Sequence, residues 1–139
     1  MRYRNPPLAC CPPKPLLTGR PLLSPAQAAD LMDLFKVLAS DTRLRLLHAL
    51  ALAGELRVSD LAETVGMAPS AVSNQLQRLV DRGILGSRRD RTSILYQIID
   101  PCVIALLDQG MCLVEDSATR VEPYPPVAIT IEGLPGDSP

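Results

Sequence analysis

Residues 59–83 read SDLAETVGMAPSAVSNQLQRLVDRG, and the spacing inside this stretch decides the architecture of the chain. Ser59 is placed to cap a brief helix over Asp60 to Val65, which Gly66 closes. Pro69 then takes the favoured first position of a second helix, running to about Arg82 and closed by Gly83. Two short helices joined by a tight turn holding a glycine make a helix-turn-helix. On the second helix Val72, Leu76 and Leu79 face inward. Ser70, Ser73, Asn74, Gln77 and Arg78 form one polar face.

That face has the chemistry of base reading. Short hydroxyl and amide side chains near a helix N-terminus can approach base edges in the major groove, and an amide pairs bidentately with adenine. Any amphipathic helix also has a solvated polar side, so the face alone is weak evidence. Its flanks strengthen it. Ile84 and Leu85 start a strand, Ser93 to Ile99 read as another with Ile94, Tyr96 and Ile98 on one face, and GSRRDRT between them is polar and basic. This is a β-hairpin wing. Arg82, Arg88, Arg89 and Arg91, offset by Asp81 and Asp90, suit phosphate contacts along the groove and in the wing.

Upstream, Ser24 and Gln27 form a capping box around Pro25, opening a first helix over about 24–39 with Leu31, Leu34, Phe35 and Leu38 as its apolar stripe. Ser40 or Asp41 caps a second helix that is apolar almost all round, through Leu44, Leu46, Leu47, Leu50 and Leu52, and is therefore expected to be central. His48, the single histidine, lies in this leucine-rich stretch and reads as a packed core residue. Arg57 and Val58 form a short extended step. Downstream, Asp100 caps a last helix with Pro101 at its first position, running to about Glu115. The expected fold is mainly α with a small β-hairpin wing, a winged helix-turn-helix.

Proline marks the boundaries of this domain. Of the 14 prolines only Pro69 and Pro101 fall between residues 26 and 122. Residues 1–23 read as a Pro-rich basic arm, 24–116 as the winged helix-turn-helix domain, and 117–139 as a flexible, Pro-rich acidic tail. With 139 residues there is room for one domain plus tails, and with one Phe, three Tyr and no Trp the core must be aliphatic. The net charge of -1 does not suggest nucleic acid, but phosphate contacts are local and the positive charge is gathered on the wing. No apolar run is long enough to span a membrane and no secretory signal is evident, so the expectation is a soluble, cytoplasmic protein. No Gly-rich phosphate loop, paired-carboxylate motif or nucleophile elbow appears, which argues against an enzyme.

Residues 34–100, LFKVLASDTRLRLLHALALAGELRVSDLAETVGMAPSAVSNQLQRLVDRGILGSRRDRTSILYQIID, resemble the ArsR/SmtB family of metal-responsive repressors. The LASDTRLRLL turn, the SAVSNQLQRL helix and the wing ending in LYQI fall in the family's order, and the similarity covers roughly residues 24–116. The resemblance implies a homodimer joined through the first and last helices. It also implies binding to double-stranded operator DNA of two-fold symmetry, with release on binding an inducer. Members with a thiolate site on the short helix carry ELCVCDL there. This chain has ELRVSDL, so Arg57 and Ser59 stand where those cysteines would be. Members sensing at the last helix use an Asp, a nearby His, and a later His and acid. Here Asp100 and Cys102 occupy the first pair, Leu113 replaces the later His, and Cys112 lies one residue earlier.

The candidate ligands are thus Cys10, Cys11, Cys102 and Cys112. Cys102 and Cys112 are ten residues apart on one helix, a rise of ~15 Å, so they cannot chelate one ion within a single helix. Two antiparallel last helices at a dimer seam can bring Cys102 of one subunit near Cys112 of the other. The arm bearing Cys10 and Cys11 is long enough to fold back instead, and some family members use N-terminal cysteines in this way. Soft thiolates with no histidine nearby favour a thiophilic ion as inducer: cadmium, lead, mercury, zinc or arsenite. Two other readings stay open: a repressor of the same fold sensing oxidants or reactive sulfur through Cys102, and a non-sensing DNA-binding module whose cysteines are structural.

Overall fold

A computed structural model describes residues 14–116 of the chain. Cys10 and Cys11, most of the N-terminal arm and the 117–139 tail lie outside the described residues. After a 3-10 turn at Leu17–Gly19, within the stretch expected to be an extended arm, come α1 (Pro25–Leu38), α2 (Asp41–Ala53), β1 (Glu55–Arg57), α3 (Val58–Val65), α4 (Pro69–Asp81), β2 (Leu85–Asp90), β3 (Ser93–Ile98) and α5 (Pro101–Asp116).

The helix starts follow their caps. Ser24 Oγ accepts from the Gln27 N–H at 3.1 Å while Gln27 Oε1 accepts from the Ser24 N–H at 3.0 Å, the reciprocal capping box. Ser40 Oγ accepts from the Arg43 N–H to start α2, and Asp100 Oδ1 accepts from the Cys102 N–H to start α5. Between α3 and α4 the chain reverses at Gly66, whose φ of 70° is costly for any residue with a Cβ. There the Met67 N–H reaches the Ala62 carbonyl at 3.0 Å and ties off the end of α3. One expected cap is corrected. The residue preceding α3 is Arg57, without a side-chain cap, and Ser59 lies inside the helix. Pairing of β1 already holds Arg57 extended, so the helix begins directly after it.

The sheet has three antiparallel strands in the order β1-β3-β2. The extended step before α3 is therefore a third strand, with Leu56 opposite Tyr96. Leu85 pairs with Ile98 at the base of the wing and Asp90 with Ser93 at its tip. The loop proper is only Arg91–Thr92, so Arg88 and Arg89 stand on a strand rather than in a loop. Gly86 is needed where β2 passes Ile99, the residue that follows β3, because a Cβ there would lie 2.8 Å from Ile99 Cγ2.

The core is aliphatic: Leu46, Leu47 and Leu50 of α2, Leu61 of α3, and Val72, Leu76 and Leu79 of α4 are sealed from solvent, and Tyr96 is the one buried aromatic among the described residues. Burying each such Leu stabilises the fold by about 2–3 kcal/mol. Two expectations about α2 need correction. His48 is exposed rather than packed in the core, and Leu44 and Leu52 also face outward, Leu52 at 78%. Positions 44, 48 and 52 repeat every four residues along the outer side, while 43, 46, 47 and 50 turn inward. Likewise Ile94 does not share the burial of Tyr96, because the hairpin projects beyond the core and leaves it 45% exposed.

The apolar stripe of α1 is mostly uncovered. Leu38 is its only buried residue, while Leu31, Met32 and Phe35 are 42%, 48% and 49% exposed. On α5 only Val103 is buried, and Met111 and Leu113 are more than half exposed. Two apolar helices therefore flank the domain with much of their apolar surface in water. Among the described residues no helix is long and apolar enough to cross a membrane.

Candidate nucleic-acid interface and thiol site

On α4, Val72, Leu76 and Leu79 are clamped in the core, which turns the opposite side of the helix outward. Ser70, Asn74, Gln77 and Arg78 are exposed there and Ser73 is half-buried at the edge. Gln77 Nε2 donates to Asp81 Oδ1 at 2.7 Å one turn on, so this amide is held along the helix when no other partner is present. All four residues expected to meet phosphates are exposed, but they stand in different settings. Arg89 lies on β2 and Arg91 at the wing turn, where its φ is 57°.

Arg88 Nε donates to Glu55 Oε1 at 2.5 Å, linking β2 to β1 across the intervening β3. That hydrogen bond first, and the carboxylate charge second, hold the Arg88 guanidinium above its ordinary value. Glu55 is a residue that sequence reasoning did not connect with the wing, because the link depends on β1 joining the sheet. Arg82, the C-cap of α4, turns away from the wing: Nη2 donates to the Asp30 carbonyl of α1 at 3.4 Å.

Arg82 also lines an open cleft of about 420 Å³ between α1, the end of α4 and the start of α5. Leu31, Leu34, Ile84, Cys102 and Leu106 complete the part of its wall that matters here. Both described thiols, Cys102 and Cys112, are half-buried. They lie at opposite ends of α5, and Cys112 Sγ is 3.4 Å from Asp116 Oδ2. Among the described residues no group of three or more His, Cys, Asp and Glu side chains within the one chain is placed to hold a metal ion. The donor chemistry of α5 suits a soft ion, while the separation of its two thiols does not allow one chain to hold that ion on α5 alone.

Comparison with known proteins agrees with this geometry. Residues 40–87, from the cap of α2 through α3 and α4 into β2, match the family model described as bacterial regulatory protein, arsR family. The HTH-type transcriptional regulator NmtR of Mycobacterium tuberculosis is 42% identical over 84 residues, 60% of this chain and 69% of the relative. A probable mercury resistance operon repressor of Streptomyces lividans is 36% identical over 88 residues, 63% of this chain and 70% of the relative. The crystal structure of the AntR antimony-specific transcriptional repressor superposes with a TM-score of 0.66 at 55% identity, covering 79% of this chain and 99% of that one. With its three-stranded sheet, helix-turn-helix and flanking helices in this order, the chain belongs to the ArsR family of bacterial regulatory proteins, as a DNA-binding transcriptional repressor and not an enzyme.

Proposed function

We propose that the protein is a homodimeric repressor that binds a two-fold symmetric duplex when reduced and ion-free, and leaves it when a thiophilic ion is captured on cysteine thiolates. Trivalent antimony is the favoured inducer. One observation carries the DNA side of this reading: α4 exposes Ser70, Asn74, Gln77 and Arg78 on one side, with Arg88, Arg89 and Arg91 on the adjoining hairpin. Ser73 sits at the edge of the same face. The amides and hydroxyls read bases, and the arginines of the hairpin anchor phosphates, joined by Arg82 once it releases the Asp30 carbonyl.

The uncovered apolar sides of α1 and α5 support the dimer. Leu31, Met32 and Phe35 with Met111 and Leu113 would bury against a second copy what is left in water here. In such a pair, antiparallel α5 helices set Cys102 of one subunit toward Cys112 of the other, and the arm cysteines Cys10 and Cys11 are available as further sulfur donors. A soft ion fits this donor set: thiolate sulfur without histidine. The choice of antimony rests on the 55% identity with a repressor described as antimony-specific.

Release follows from a coupling between the seam and the reading helices. Closing thiolates of both subunits on one ion fixes the crossing of the α5 helices and, through the shared apolar seam, the placement of α1. A dimer whose two α4 helices no longer match successive grooves loses affinity by roughly 5- to 150-fold for a coupling of ~1–3 kcal/mol. The experiment is an absorbance titration of the reduced protein with antimonyl tartrate, watching for sulfur-to-antimony charge transfer, repeated with each of the four cysteines changed to Ser. Loss of the band in Cys102→Ser and in Cys112→Ser supports the seam site. An unchanged band in both removes it.

A further inference from the structure

Arg43 is the only buried polar or charged side chain among the described residues, at 8% exposure. A buried guanidinium is retained only when its donors are met, and here three different groups meet them. Nε donates to the Val37 carbonyl at 2.6 Å, Nη2 to the Lys36 carbonyl at 3.4 Å, and Nη1 to Gln75 Oε1 at 2.7 Å. The first two acceptors belong to the last turn of α1, whose carbonyls have no partner within the helix. The third belongs to α4, on the half-buried flank between Asn74 and Leu76. One rigid, planar fork on α2 therefore grips the end of α1 with one side and α4 with the other.

The position of Gln75 gives this contact a consequence. It is not on the exposed face with Asn74 and Gln77, yet it is their immediate neighbour on the same helix. Whatever fixes the Gln75 amide fixes the roll of α4 about its own axis, and hence the direction in which Asn74 and Gln77 point. Hydrophobic packing of Val72, Leu76 and Leu79 sets the depth of α4 but tolerates small rotations. A bond to a planar guanidinium with two other anchors does not. We infer that Arg43 and Gln75 are positioning residues for DNA reading: the Arg43 fork locks the reading helix in register with α1, so sequence selectivity depends on a pair that does not itself read bases. The inference rests on the reading face assigned to α4 above and needs no inducer.

The test uses the full chain and a duplex selected by the wild-type protein from a randomised pool, with a scrambled duplex as reference. Affinity for both is measured by fluorescence anisotropy, together with the melting temperature of each variant. Gln75→Leu removes the acceptor and Arg43→Lys removes the fork. Each is expected to reduce the selected-to-scrambled affinity ratio about tenfold, the scale for a residue acting through a packed network. The double variant should be no worse than either alone, since both break one contact. Gln75→Glu keeps an acceptor for the guanidinium and should retain the wild-type ratio.

Wild-type selectivity in Gln75→Leu overturns the inference. So does an equal loss in Gln75→Glu and Gln75→Leu, because a carboxylate is rejected where Gln75 meets DNA directly. If Arg43→Lys does not fold, the two Gln75 variants decide alone. If the wild-type protein selects no duplex at all, the reading face itself fails and the inference fails with it. That outcome is distinct from one in which the wild type selects and the variants match it.

Discussion

Arg88 of the wing is held by Glu55 of the first strand, Nε to Oε1 at 2.5 Å, although β3 lies between their strands. One of the wing's three arginines is thus already engaged before any phosphate arrives. DNA binding must either exchange this partner or share it. Glu55→Gln removes the competing charge, so affinity for any duplex should rise several-fold at low salt. The slope of log affinity against log salt should steepen by about one unit as one more phosphate contact is made. Anisotropy titrations at several salt concentrations check this. Weaker binding in the variant would mean that Glu55 orients Arg88 toward DNA rather than away from it.

Asn74 and Arg89 should fail in different ways. Truncating Asn74 removes a base-reading amide, so discrimination between the selected duplex and its single-base variants should fall by about 1–3 kcal/mol at the contacted position. Truncating Arg89 should weaken all sequences alike and lower the salt slope by about one. Identical profiles for the two variants would remove the distinction between reading face and phosphate anchor.

Gly66 provides a test of the turn alone. Its φ of 70° is in the left-handed region, and nothing lies within 4 Å of where a Cβ would be. Gly66→Ala should therefore cost only backbone strain, about 1–2 kcal/mol, and lower the melting temperature by several degrees. Unchanged thermal stability would contradict the strained turn.

The face of α1 is tested by Phe35→Glu. Phe35 is 49% exposed in the single chain, so a charge there should leave the monomer's fold intact while opposing burial at a seam. Sedimentation should show the wild type as a dimer and the variant shifted to monomer at the same concentration, with the helical circular dichroism retained. A variant that stays dimeric would place the interface elsewhere.

How much of this was legible in the chain depended on the range of the interaction. Ser24 with Gln27, the turn at Gly66 and the inward side of α4 are local patterns, and the structure places each where its spacing predicts. Long-range pairing was not legible. Glu55–Arg57 is too short to declare itself a strand until β3 supplies its partner, so the Glu55–Arg88 link was hidden too. Leucine neighbours make His48 read as a core residue, but the pattern leaves two apolar sides of α2 and only the packing selects which one is covered. Arg43 offered a clue, a charge on the inward side of a leucine-rich helix. What it binds is only evident once α1 and α4 meet around it.

A seam site predicts complementation between defective chains. Cys102→Ser and Cys112→Ser homodimers should each lack the high-affinity antimony site. A mixed dimer of the two brings one intact Cys102 opposite one intact Cys112 and should recover one ion per dimer by absorbance titration. No recovery in the mixed dimer would mean that the two thiols do not share an ion across the seam.

The most direct measurement is release itself: anisotropy of a labelled, wild-type-selected duplex with the reduced dimer bound, titrated with antimonyl tartrate. The expected result is a return to the anisotropy of free duplex at about one ion per site, abolished in Cys102→Ser and reversed by excess dithiol. Tight binding that persists at saturating antimony, with the thiols shown to be occupied, would contradict the coupling between thiol site and reading helix.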